Sequence, residues 1–428
     1  MPTDPTSAPR LQPPLRAALC AAAEAVAGVL AGHSLEDGLG GDPELAGAQR
    51  DLASAALRAY GRGDAALALL MPAPPRPVAL RALLLVALAR LDARPAEAHT
   101  IVNEAVAAAR KVGGGRAHGL VNAVLRNYLR RASEIAARLD AGAETRYCLP
   151  GWWLQALQAD HPLHWQDICA SAKEHPPMCL RVNRRRCEPA DYLRLLADAG
   201  MTARQVGPAA LLLERPVPVL RLPQFAAGWV SVQDAGAQRA AHLIDLAPGM
   251  RVLDACAAPG GKSAHMLELG DVDLLALDAA PQRAARMAPD FARLRVTARV
   301  AVADCRATAS WWDGQPFDRI LADVPCTASG VLRRHPDAKW LRRRSDTTQF
   351  AQTQHAILAA LWNVLAPGGK LLYATCSVFA EENSLQIQRF AAAHSDCRVL
   401  PIDDQPSLQL LPAPEHDGFF YALLSRLP

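Results

Sequence analysis

From Ala235 to its end the chain alternates strand-like and helix-like segments, the pattern of a parallel sheet with crossover helices. The expected strands are Arg251–Asp254, Leu274–Asp278, Arg299–Ala303, Phe317–Ala322 and Lys370–Thr375, followed by a late apolar strand, Phe419–Ser425. Four of them end at or beside an acid: Asp254, Asp278, Asp304 and Asp323. In open α/β sheets ligands sit at the carboxyl ends of strands, so the four acids are expected around one crevice. A lone acid at a strand end serves equally well as a turn or helix cap. Four at successive strand ends point to a ligand.

The first strand runs into a glycine-bearing loop, Cys256-Ala257-Ala258-Pro259-Gly260-Gly261-Lys262, and then into a helix. Glycines there let backbone approach a ligand closely, at a helix N-terminus that exposes amides. A phosphate-binding Walker loop needs glycine where Cys256 stands, so nucleotide hydrolysis is disfavoured. The GxGxxG spacing of dinucleotide sites is absent as well. What remains is a nucleoside-bearing cofactor without a pyrophosphate. Asp278 is placed to accept from ribose hydroxyls and Asp304 from an adenine amino group.

Two further loops follow strands and each carries a thiol: Asp323-Val324-Pro325-Cys326-Thr327 and Thr375-Cys376-Ser377. A thiolate that adds to carbon 6 of a cytosine makes carbon 5 nucleophilic, and methylation, proton loss and elimination complete the cycle. Asp323 could donate a proton at ring N3 or bind the cofactor's amine, and the residues alone leave both open. A free cysteine is more often a small buried hydrophobe, the reading that suits Cys20, Cys169 and Cys397. At two strand ends beside the same crevice, chemistry is the better reading. Which thiol attacks is open at this point.

The first half of the chain is different. Residues 1–14, rich in proline and threonine, are expected to be disordered. Residues 15–143 are alanine- and leucine-rich with helical periodicity, as in Leu80, Leu83, Leu84, Ala87 and Leu88, with breaks at Pro72–Pro77 and Gly113–Gly115. Residues 144–234 read as a small α/β module with strands Cys179–Val182 and Ala210–Leu213 around a helix Pro189–Ala199. Residues 235–428 form the Rossmann-like domain.

Composition narrows the class without deciding it. With 428 residues, 51% hydrophobic and 21% charged, the chain is an ordinary multidomain globular protein. Ten scattered cysteines without CxxC pairs suit a reduced, cytoplasmic protein with no metal site. No export signal is convincing, and the apolar run Val78–Leu91 carries Arg81 and Arg90, so no membrane role is expected. A monomer is expected.

The stretches Asp254–Ser263, Ala303–Arg306, Asp323–Gly330 and Tyr373–Val378 together resemble the cytosine-5 RNA methyltransferases, above all the bacterial enzymes acting on 16S ribosomal RNA. Gly119–Arg126, Leu180–Asn183, Val230–Gln238 and Phe317–Arg343 extend the likeness over nearly the whole chain. Val324, where the family usually has alanine, and Ser329 are mild departures. The resemblance implies an all-α NusB-like RNA-binding domain, then the small module, then a catalytic domain that takes S-adenosylmethionine. It implies that Cys376 is the nucleophile and Cys326 assists release, and that Cys256–Lys262, Asp278, Asp304 and Asp323 bind the cofactor. It also implies 16S ribosomal RNA, free or partly assembled, as partner. A transfer RNA methyltransferase and a non-catalytic assembly factor are the rival readings; both cysteines and all the cofactor acids being present weighs against the second.

Positive charge gathers where such a reading needs it. Arg333, Arg334, Lys339, Arg342, Arg343 and Arg344 follow the Cys326 loop with Trp340 among them, and Arg181 and Arg184 lead a second cluster. Clusters of this kind attract phosphates, and a tryptophan can stack on an unpaired base. Many charge runs are only solvated surface, and proximity to a catalytic loop favours RNA contact for these.

Overall fold

A computed structural model describes residues 14–113 and 117–428; all but the last of residues 1–14, expected to be disordered, and most of the break at Gly113–Gly115 lie outside them. The chain divides into two compact units. The first is helical and, among the described residues, comprises those up to Gln155 together with Ala172–Glu174 and Leu332–Arg342. It therefore runs past residue 143 and takes in two later segments.

Helix Val78–Ala93 lies at the centre of this unit. Leu80, Leu83, Leu84, Val86, Ala87, Leu88 and Leu91 are all buried, so the helix is covered nearly all round, as its apolar sequence requires. Helices Leu15–Leu30, Ala46–Arg58 and Ala98–Val112 pack on it through narrower apolar faces.

Segment Leu332–Arg342 completes the unit by satisfying backbone groups of helix ends. Trp340 Nε1 donates to the Leu57 carbonyl at 2.7 Å and Lys339 Nζ to the Arg58 carbonyl at 2.9 Å, at the C-terminus of helix Ala46–Arg58. The last carbonyls of a helix have no partners within it, and a cation there is favoured by the helix dipole. Asp337 accepts from the Leu35 amide at 2.9 Å, at the start of helix Leu35–Gly38. Arg58 Nε returns a bond to the Arg333 carbonyl at 3.0 Å.

The second unit holds two sheets. The small one has the order β2-β3-β1-β4, all antiparallel, from β1 (Cys179–Val182), β2 (Ala203–Gln205), β3 (Ala210–Leu213) and β4 (Val230–Val232). Helix Pro189–Asp198 covers it, with Leu180, Val182, Tyr192, Leu196, Leu211 and Val230 forming the core.

The large sheet has the order β10-β12-β9-β8-β5-β6-β7, with β11 paired to β12. Its strands are β5 (Arg251–Asp254), β6 (Asp273–Asp278), β7 (Arg299–Val302), β8 (Phe317–Asp323), β9 (Leu365–Thr375), β10 (Cys397–Leu400), β11 (Leu408–Leu410) and β12 (Phe419–Arg426). Strands β5 to β9 pair in parallel, while β12 runs antiparallel to β9, β10 and β11. Strand order reverses at β5, which lies between β6 and β8, and a crevice opens at the carboxyl ends beside such a switch point.

Candidate active site

The crevice is a cavity of about 400 Å³, walled by Cys256, Ala258, Asp278, Asp304, Asp323, Cys326 and Cys376 among others. Three of the four strand-end acids meet there. Asp254 does not line it: it is 1% exposed and accepts from Ser263 Oγ at 2.6 Å, while its other carboxylate oxygen has no partner among the described residues. Burial, opposed by Ser263 and aided by Asp323, pushes its carboxyl up to about 7.

The loop after β5 is fixed from several sides. Gly260 has φ +97°, and a Cβ there would stand 2.9 Å from Met287 and 3.1 Å from Phe291, so only glycine fits. Asp278 accepts from the Ala258 amide at 3.1 Å and the Ala280 amide at 3.0 Å. Arg283 donates to the Ala258 carbonyl at 2.8 Å. The remaining acceptor positions of Asp278, 4% exposed, are available at the cavity wall. Asp304 is gripped by Arg306, Nη2 to Oδ2 at 2.6 Å, whose hydrogen bond holds the carboxyl below its usual range. Ala257, Pro259, Gly260, Gly261 and Lys262 shape the loop without lining the cavity.

Lys262 reaches Asp323, Nζ to Oδ2 at 2.5 Å. Burial pushes this ammonium down, but Asp323, Cys376 and Asp254 outweigh it and hold Lys262 above its usual value. Asp323 thus carries a cation on one oxygen and faces the cavity with the rest of its carboxylate.

The two thiols come together because β8 and β9 are neighbours in register. Asp323 pairs with Ala374, so the residues just beyond each strand, fifty apart in sequence, end side by side. Cys326 Sγ and Cys376 Sγ are 3.3 Å apart. The bond to Cys376, together with burial, raises Cys326 well above the usual thiol value, and either sulfur can be the donor of the contact between them. Gly330 N donates to the Cys376 carbonyl at 2.8 Å, and Gly330 and Gly418 approach so closely that a Cβ on Gly330 would meet Gly418 O at 2.4 Å. The departure at Ser329 is accommodated: its hydroxyl accepts from the Val378 amide at 2.8 Å.

Two features escaped the sequence reading. Cys305 lines the cavity and pairs with Cys256; their hydrogen bond raises Cys256 and lowers Cys305. Its position directly after Asp304 was the available signal. Glu382, wholly buried, accepts from Thr327 and Ser377, the residues that follow the two cysteines. Nothing local in its sequence announced that.

The basic residues separate by exposure, and several corrections follow. Arg181 is 1% exposed, with Nη2 on Glu268 at 2.7 Å and Nη1 on Gln233 and the Gly261 carbonyl, each at 2.6 Å. It braces the glycine loop from the small sheet and cannot meet phosphate. Arg333 at 2% and Lys339 at 0% are buried, and Trp340 packs on the helical core with its ring 4.8 Å from Tyr60. Lys339 and Trp340 spend their donors on helix-end carbonyls, and Arg333 lies 3.8 Å from Glu174, so the buried Arg333 and Lys339 present no surface to RNA while Trp340, half-buried, turns its indole nitrogen to the helical unit. Arg334 and Arg342 are half-buried, while Arg184, Arg343 and Arg344 are exposed. Among the described residues no cluster of His, Cys, Asp or Glu could hold a metal, and no helix is long and apolar enough to cross a membrane.

Residues 241–425 match the profile of the 16S rRNA methyltransferase RsmB/F family, residues 149–220 that of the ferredoxin-like domain of RsmF/B-like methyltransferases, and residues 29–130 that of the NusB family. The ribosomal RNA small subunit methyltransferase B of Pseudomonas putida is 43% identical over 95% of this chain and 98% of its own. That of Vibrio cholerae is 45% identical over 80% of each chain. The crystal structure of a methyltransferase homologue from Pyrococcus horikoshii superposes with a TM-score of 0.60 at 25% identity, covering 68% of this chain and 99% of that one. The architecture is a NusB-like helical domain, a ferredoxin-like module and a methyltransferase domain, and with relatives this similar along nearly its whole length the chain belongs to the RsmB/F family of 16S rRNA methyltransferases.

Proposed function

We propose that this protein methylates carbon 5 of a cytosine in 16S ribosomal RNA through a covalent adduct to Cys376. The observation that carries the reading is the thiol pair, 3.3 Å apart on the wall of the cofactor-sized cavity. Cys376 Sγ forms a bond to carbon 6, and the ring electrons displaced by that bond make carbon 5 nucleophilic. S-adenosylmethionine, when bound, supplies an electrophilic methyl group. Loss of the carbon 5 proton and cleavage of the sulfur–carbon 6 bond then return the aromatic ring and the Cys376 thiolate.

The residues fit both partners. The 400 Å³ cavity falls within the usual range for cofactor sites. Asp278 suits ribose hydroxyls, and Asp304, beside Arg306, suits the adenine end. Asp323, tied to Lys262, is positioned either to hold the cofactor's amine or to serve the cytosine ring. Cys326, its thiol held above the usual value, lies 3.3 Å from the attacking sulfur. It orients Cys376 before attack and serves the release half of the cycle.

The substrate follows from the relatives, which are named for small-subunit ribosomal RNA. Arg184, Arg343 and Arg344 are the exposed cations placed to meet its phosphates. A cytosine inside a helix cannot reach the cavity, so the target is unpaired or flipped out.

The test separates addition from elimination. Cys376→Ala is expected to form no adduct and to methylate nothing. Cys326→Ala is expected to attack, transfer the methyl group and stall, giving a protein–RNA band that survives denaturing electrophoresis. A band from Cys376→Ala alone would reverse the assignment, and two active variants without any band would refute covalent catalysis here.

A further inference from the structure

Glu382 carries a carboxylate taken wholly out of water, and among the described residues it is held by amide and hydroxyl donors instead of a basic side chain. Burying a charge without a counter-ion is costly unless hydrogen bonds replace the lost water. Here they come from three elements. Oε1 accepts from the Thr327 amide at 2.9 Å and from Gln354 Nε2 at 3.1 Å. Oε2 accepts from Thr327 Oγ1 at 2.5 Å and Ser377 Oγ at 2.6 Å. Gln354, on helix Arg344–Val364, also donates to the Pro325 carbonyl at 3.0 Å. Tyr373 Oη, from β9, donates to the Glu382 carbonyl at 2.6 Å. The groups so gathered flank Cys326 on both sides and Cys376 on one.

We propose that Glu382 is a positioning residue for the thiol pair: its carboxylate clamps Thr327 and Ser377 together and so sets the separation of the sulfurs of Cys326 and Cys376. Each cysteine sits one residue from a group bonded to this carboxylate, and the 3.3 Å between the sulfurs spans the gap that the clamp closes. A single carboxylate that accepts from both loops couples them more tightly than separate anchors would. Glu382 itself does not line the cavity, so it acts through the thiols and not on the substrate. The role rests on the cytosine-5 reading, in which both thiols work on one ring.

The test reads the thiol pair without RNA. The full-length protein and Glu382→Asp, in which the carboxylate is drawn back by one methylene, are equilibrated with mixtures of reduced and oxidised glutathione. Two thiols and one glutathione disulfide give the Cys326–Cys376 disulfide and two molecules of glutathione, and the linked peptides are quantified by mass spectrometry. S-adenosylmethionine affinity, measured by calorimetry, reports whether the fold and cofactor pocket survive. Glu382→Asp is expected to bind the cofactor normally while its pair closes about tenfold less readily, because effective concentration falls steeply with misplacement. Its kcat should fall in step, with KM for the cofactor unchanged, and Glu382→Gln, which keeps the full reach, should recover most of both. An unchanged thiol equilibrium in Glu382→Asp, or a wild-type pair that never closes, would overturn the proposal. If Glu382→Asp fails to bind cofactor, Thr327→Val, which removes one donor from the clamp, decides on the same two outcomes. Nucleoside analysis of the product RNA from wild-type protein tests the cytosine-5 reading separately, and its failure would leave the thiol equilibrium standing.

Discussion

Asp254 ends the first strand of the large sheet where water does not reach, with Ser263 its one donor among the described residues. Burial lifts its carboxyl to about 7, roughly three units above an unfolded aspartate near 3.9. The folded state therefore binds the extra proton between those values. The stabilisation this gives is complete below pH ~4 and is lost as pH rises through about 7, at ~1.4 kcal/mol per unit and at most ~4 kcal/mol. Asp254→Asn cannot titrate, so denaturant unfolding should show the variant's stability gaining on the wild type from pH 4 to 8; parallel curves would remove Asp254 from the pH dependence. Among single residues the sequence was informative wherever a motif is contiguous: the acids, the glycine loop and both thiols lie within short runs. It was silent on Glu382, whose four donors come from Thr327, Gln354 and Ser377, and on the depth at which Asp254 is buried.

Elements were legible in proportion to their length and apolarity. The five parallel strands follow from apolar runs, four of them ending at or beside an acid, and helix Val78–Ala93 from a series of leucines and alanines broken by few polar residues. Strands β2 and β4, three residues each, and β10 and β11 at the sheet's edge carry too few apolar positions to stand out, and pairing alone defines them. Arg181 shows how an element's context inverts a residue's meaning. The triplet Arg184–Arg186 that follows is exposed, but β1 lies with all four of its residues buried, so Arg181 meets Glu268 of the helix after the glycine loop instead of solvent. Removing one partner of a buried pair strands the other's charge, a loss of about 3–5 kcal/mol. Arg181→Ala should accordingly lower the unfolding transition in calorimetry and leave the salt dependence of RNA binding as it was. Arg181→Met combined with Glu268→Leu should recover much of the loss, since an apolar pair of similar volume can replace a buried ion pair. A shallower salt dependence in the single variant would restore Arg181 to the RNA surface.

At the scale of the whole molecule, the basic run after the Cys326 loop divides at a point the sequence does not mark. Leu332–Arg342 belongs to the helical unit, and Arg343 begins the return to the second. Arg343 and Arg344 stand exposed at the N-terminus of helix Arg344–Val364, an end where the helix dipole disfavours cations, so fold stability does not account for them. Replacing both with alanine should weaken RNA binding and reduce the log–log salt slope by up to about two units, roughly one per phosphate contact. Trp340→Ala should leave that slope alone and cost about 3–5 kcal/mol of stability, as large core truncations do. Titrations at several salt concentrations, paired with unfolding curves, distinguish the two classes; the reverse pattern would place Trp340 on the RNA.

That return segment also sets an order in time. A ribosome releases this chain from its N-terminus, and the helical unit's early helices are complete once residue 155 has emerged. The carbonyls of Leu57 and Arg58 must wait for Trp340 and Lys339, which lie more than half the chain beyond them. At a synthesis rate of about 5–20 residues per second, that wait is on the order of fifteen to fifty-five seconds. The domain made first is finished late, and a fragment cut near residue 143 would carry helix ends and a tryptophan-sized gap that only the distant segment can fill.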